Sequence, residues 1–124
     1  SGQGAPVGVL ALRDADGDGT ADRRERFGEA GGTGIAVAPG WVYVDEGSAI
    51  VRYPVKAGAL TPSGPRDTIV AGLPTGGHGA HNLLLDGKGG LFVNVGSRTN
   101  SCQQADRQSG SPGIDPCVEL ETRA

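Results

Sequence analysis

Glycine interrupts this chain too often for long helices. There are 23 glycines and 8 prolines among 124 residues, and each glycine in a helix interior costs roughly 0.5–1 kcal/mol against alanine. Between them lie short apolar runs, at 7–12, 34–38, 41–44, 49–53, 68–71, 83–85 and 91–95. β-branched and aromatic residues dominate most of these runs, which suits a pleated, half-buried surface. The reading is an all-β fold of short strands joined by turns. Disorder competes with it only at the two ends.

The strongest hairpin pairs 83–85 with 91–95 across Asp86-Gly87-Lys88-Gly89-Gly90, whose glycines and aspartate tolerate the positive φ of tight turns. It is entered through Gly76-Gly77-His78-Gly79. A similar opening, Gly31-Gly32-Thr33-Gly34, stands 45 residues earlier, and each is followed by an apolar strand, a turn and a second strand. Repeats of about 40–50 residues with four strands each are the pattern of β-propeller blades. The expected organisation is an N-terminal strand and calcium-type loop over 1–30, a complete blade over 31–75, and the start of the next blade with a cysteine-bounded loop over 76–124.

Net charge is −3, and five of the 14 acids fall between Asp14 and Glu25. The acidity is therefore local and points to a cation. Asp14, Asp16, Asp18, Asp22 and Glu25 take positions 1, 3, 5, 9 and 12 of a calcium loop, with Gly19 at position 6 and Thr20 offering its carbonyl at position 7. A solvated acidic turn is the alternative. The preceding run reads as a strand, so the loop is expected without the EF-hand helices and with a structural role. The absence of a basic patch argues against nucleic acid. No apolar run approaches the roughly 20 residues that span a bilayer as a helix.

Cys102 and Cys117 lie in a polar loop, with no histidine or further cysteine at metal-ligand spacing. A disulfide is the favoured reading and two free thiols the alternative. The bridge would stabilise by roughly 3 kcal/mol in the chain-entropy model. It would imply an oxidising compartment, periplasmic or extracellular. The chain opens on Ser1 rather than Met, from which either a removed leader or a piece of a longer protein is expected; the end without a terminating element favours the piece.

Several stretches together resemble the glucose/sorbosone dehydrogenase family, the soluble sugar dehydrogenases that use pyrroloquinoline quinone (PQQ). The likeness is to its sorbosone-dehydrogenase-like branch. The stretches are 12–19, Arg52-Tyr53-Pro54, Gly76-Gly77-His78-Gly79, 91–97 with Asn100, 102–107 and 111–117. The resemblance implies a six-bladed propeller, of which this chain would form two to three blades, with PQQ on its axial face. It implies His78 as the base that takes the substrate's hydroxyl proton, work that imidazole suits near neutral pH. Ser97 and Asn100 would face a sugar or aldehyde substrate, with loop capping equally open for both. The PQQ-clamping residues and the cofactor's own calcium ligands would lie in later blades, and an external electron acceptor would complete the cycle. Asn82 stands where arginine is common in the family, and His81 reads as a surface or inter-blade residue. Trp41 and Tyr43 alternate with Val42 and Val44 and read as packing residues, with a sugar-stacking platform as the alternative. The alternative functions are a non-catalytic, calcium-stabilised propeller binding carbohydrate or protein, and a lactonase using calcium as a Lewis acid.

Overall fold

A computed structural model describes residues 8–122. Its strands are β1 (Val9–Arg13), β2 (Arg23–Phe27), β3 (Ile35–Ala38), β4 (Trp41–Asp45), β5 (Ile50–Pro54), β6 (Asp67–Val70), β7 (Leu83–Leu85) and β8 (Leu91–Val93); one helical turn, α1 (Glu119–Thr122), follows. They make three antiparallel sheets in sequence order: β1-β2, β3-β4-β5-β6 and β7-β8. The protein is all-β. Among the described residues the sheets form an open stack and not a closed ring, and no helix is long and apolar enough to cross a membrane.

The middle sheet is built by local turn chemistry. Ala38 pairs with Trp41 across Pro39-Gly40. Proline presets the first turn residue and Gly40 takes φ 82° at the second, the geometry a type II turn requires. Pairing of Val42 with Tyr53 and Val44 with Val51 then puts four apolar side chains on one face. Val9 of β1 and Phe27 of β2 close over them, with the Phe27 ring edge-on to Tyr53 at 5.0 Å. The opposite face carries Tyr43 and Arg52 as a cross-strand pair. Arg52 lies 3.8 Å over the Trp41 ring and pairs with Asp67 at 3.3 Å. The β7-β8 sheet covers this second face, leaving a cavity of about 330 Å³ lined by Tyr43, Arg52, Ile69, Leu85 and Leu91. The three sheets thus stack as β1-β2, middle, β7-β8. The outermost side chains are Leu10 and Leu12 at one end and the cross-strand pair Leu84 and Phe92 at the other, all exposed.

Asp45 joins the middle sheet to the segment that enters β7. It is 1 % exposed and accepts the Gly47 amide at 2.7 Å and the His81 amide at 3.3 Å. Beside it, a Cβ at Gly34 would collide with the His81 carbonyl oxygen and stand 3.1 Å from Leu83 Cγ. The backbones approach so closely here that only glycine fits.

Three sequence expectations change. The spacing of 45 holds for the glycine openings but not for the strands. Ile35 pairs with Val44 and Leu83 with Val93, so the first strands of the two units start 48 residues apart. The three extra residues, Ala80-His81-Asn82, place His81 in the sheet junction. Residues 23–25, expected as the end of the calcium-type loop, form β2 together with Arg26 and Phe27, and Phe27 turns toward the core. β8 stops at Val93 rather than 95: Asn94 keeps one backbone bond, to the Asn82 carbonyl at 3.4 Å, and Gly96 and Ser97 then pass alongside His78. Of the expected first strand, Val7 lies outside the described residues.

Candidate functional site

His78 sits in the bend before β7. Its amide donates to the Ser97 carbonyl at 3.0 Å. The ring returns to the same residue: Nδ1 lies 3.0 Å from the Ser97 carbonyl and 3.2 Å from Ser97 Oγ. Two glycines make this approach possible. A Cβ on Gly96 would stand 2.5 Å from the His78 carbonyl oxygen and 2.6 Å from its Cβ, and Gly77, at φ 59°, lies against the Arg98 backbone.

The hydrogen bonds fix the tautomer. A carbonyl can only accept. The Ser97 hydroxyl gives its own proton to the Thr99 carbonyl at 2.7 Å, so it too presents a lone pair to the ring. Nδ1 therefore carries the proton in neutral His78. Nε2 holds the lone pair on an exposed side chain. Chemically this is an oriented base open to solvent.

His81 repeats the motif under cover. Its Nδ1 donates to the Asn94 carbonyl at 2.8 Å, but the residue is fully buried and Nε2 has no hydrogen-bond partner. His81 is therefore not the surface residue that one of its two readings expected: it is buried where the chain enters β7, its amide on Asp45 of the middle sheet. The two rings share an Nδ1–H donated to a backbone carbonyl and differ in access.

The acidic loop connects β1 to β2. Asp14, Asp16 and Asp18 each bring a carboxylate oxygen within 4.8 Å of the others. Asp14 accepts the Gly17 and Gly19 amides at 2.7 Å each, and Asp18 accepts the Thr20 amide at 2.7 Å. The Gly19 amide chiefly holds the Asp14 carboxyl below its ordinary value. Asp22 turns back to accept the Ala15 amide at 2.8 Å, and Glu25 lies in β2 opposite Ala11. The convergent set is thus the first three acids, while Asp22 and Glu25 stand outside it.

In the tail, Cys102 and Cys117 form a disulfide. Asn100 donates its side-chain amide to Asp106 at 3.2 Å, and Asp106 also accepts the Ser101 hydroxyl at 2.8 Å. Ser97 therefore lies at the His78 site, whereas Asn100 braces the disulfide loop. Asp45, Asp106 and Glu119 carry structural hydrogen bonds that the sequence analysis did not single out. Only Asp45 left a trace, in the Asp45-Glu46-Gly47 turn.

Several carboxyls gain their partners only on folding. Asp86 is held low by the Lys88 and Gly90 amides, Asp106 first by the Ser101 hydroxyl, and Glu119 first by the Thr99 hydroxyl. A carboxyl whose folded value is lowered stabilises the fold fully above its unfolded value, and that contribution is lost as pH falls through the folded one. Thermal midpoints are expected to hold level through neutral pH and to fall below about pH 4, the unfolded carboxylate range. Melting curves across pH 3–8 test this; a midpoint unchanged at pH 3 would contradict it.

Comparison with protein-family models, curated proteins and solved structures finds no match to this chain.

Proposed function

We propose that this chain is the base-bearing part of a PQQ-dependent sugar or aldehyde dehydrogenase, its three sheets being blades or part-blades of a propeller. The observation that carries the reading is His78: an exposed imidazole whose Nδ1 proton is held by Ser97 and whose Nε2 lone pair is open. Of what a quinone enzyme needs, the chain supplies this base. The convergent carboxylates lie on a different connection, between β1 and β2. When bound, the quinone would supply the hydride-accepting chemistry. His78 takes the hydroxyl proton at Nε2 while Ser97 holds the ring in place, and Ser97 Oγ, on the Nδ1 side, acts on the ring rather than on the substrate. The partners on this reading are a sugar or aldehyde, an external electron acceptor and the remaining blades. The disulfide supports a periplasmic or extracellular setting.

The test is reconstitution of a full-length chain containing this region with PQQ and calcium, assayed against aldoses and aldehydes with a dye acceptor. Turnover that requires PQQ supports the reading. A folded, calcium-loaded chain that neither binds PQQ nor turns over would sink it, and a calcium-stabilised binding propeller would replace it.

The loop at Asp14, Asp16 and Asp18 is read as a structural calcium site. Calcium at 100 times its Kd is expected to add about 2.7 kcal/mol to the folded state. Asp14→Asn with Asp16→Asn should abolish that gain. A thermal midpoint indifferent to calcium and to chelator would leave a solvated acidic turn.

A further inference from the structure

The disulfide loop reaches His78 through an unbroken run of hydrogen bonds. Glu119 accepts both donors of Thr99, the amide at 3.1 Å and the hydroxyl at 2.8 Å. Thr99 Oγ1 also accepts the Cys102 amide at 3.1 Å, and the Thr99 carbonyl takes the Ser97 hydroxyl proton at 2.7 Å. Ser97 then offers Nδ1 of His78 nothing but acceptors. The disulfide ties together the segments that carry the first two members of this run: Cys102 is three residues after Thr99, and Cys117 two before Glu119. Cys102 sits at φ 50°, a left-handed conformation that a non-glycine residue adopts only when its surroundings hold it there.

We propose that Glu119 is a positioning residue for His78, acting through Thr99 and Ser97, with the Cys102–Cys117 disulfide holding it in register. With Thr99 clamped by Glu119, its carbonyl captures the Ser97 hydroxyl proton. Once Thr99 is released, that hydroxyl can rotate and donate to Nδ1, which puts the ring proton on Nε2 and removes the basic lone pair from the exposed side. The Ser97 carbonyl still favours Nδ1–H, so the effect is partial rather than complete. The Thr99 hydroxyl also keeps the Glu119 carboxyl below its ordinary value, hence ionised and accepting at neutral pH. The functional meaning of this relay rests on the reading of His78 as the base; the relay itself does not.

The experiment is long-range 1H–15N correlation of the histidine rings in the full chain, which reports the tautomer of each imidazole without cofactor or turnover. His78 in the parent is expected as the Nδ1–H tautomer. Glu119→Ala, and Cys102→Ser combined with Cys117→Ser, should each raise the Nε2–H population of His78 several-fold and lower kcat with KM little changed. His81, held by Asn94 outside the loop, should keep its tautomer and serve as the folding control. Should Glu119→Ala not fold, Glu119→Gln preserves the shape but leaves one acceptor oxygen for two donors, and should shift His78 in the same direction by less. An unchanged His78 tautomer in a folded Glu119 variant overturns the proposal. If His78 shifts as expected but the reconstituted chain never turns over, the relay stands and the dehydrogenase reading falls.

Discussion

Replacing His78 with alanine is expected to lower kcat of the PQQ-dependent oxidation by roughly 10²–10⁴-fold, the usual worth of a positioned general base. KM should change little, because the exposed ring makes its hydrogen bonds to Ser97 and leaves Nε2 for the reacting proton. A loss in kcat matched by an equal loss in kcat/KM marks an interaction made only in the transition state. His78→Asn sharpens the test. An asparagine side-chain amide can still donate to the Ser97 carbonyl but has no basic nitrogen, so it should be as slow as alanine. Ser97→Ala should cost less than either, since the carbonyl that fixes Nδ1–H is backbone. Steady-state kinetics on the reconstituted full chain decides the matter. A His78→Ala enzyme within a few-fold of the parent would remove His78 from the chemistry.

Gly34→Ala should destabilise the fold by about 3 kcal/mol or more, at the upper end of overpacking costs. The added methyl has nowhere to go. It would overlap the His81 carbonyl oxygen and press on Leu83 Cγ, and the obstructing atom is backbone, not the end of a flexible side chain. Relief requires β3 and β7 to separate, which would pull the His81 amide from Asp45 and open a junction in which both residues are buried. Gly64→Ala is the control. Its methyl would meet Pro54 Cγ at 3.5 Å, ordinary contact, and should change stability by less than about 0.5 kcal/mol. Urea unfolding of the pair measures the difference. Equal midpoints would mean that the β3–β7 junction adds nothing to global stability.

The strands were legible because their signals are local. Pro39-Gly40 and the 86–90 turn announce themselves in composition, and the β-branched runs between them have few alternatives. β2 was hidden because Arg23-Arg24-Glu25-Arg26 reads as solvent-exposed loop. It is a strand through its pairing with β1, a contact made at a distance in sequence. His81 was ambiguous for a related reason. Its burial depends on three residues that shift one unit against the other, and no periodicity marks them. The acidic residues were found by spacing, but which of them converge is set by the path of the chain. Asp22 was drawn back to the Ala15 amide, and Glu25 was carried away on β2. Glu119 gave no sign at all, since a lone glutamate near a chain end is ordinarily solvated.

The two ends of the sheet stack present different apolar surfaces, Leu10 with Leu12 on one side and Leu84 with Phe92 on the other. An association that sets one against the other is heterologous: each copy added hides one patch of each kind and offers a fresh one of each. Nothing in such a contact stops at two. On a dilution series followed by light scattering, the isolated 124-residue chain should therefore show a mass that climbs steadily with concentration, where a self-complementary patch would level off at a dimer.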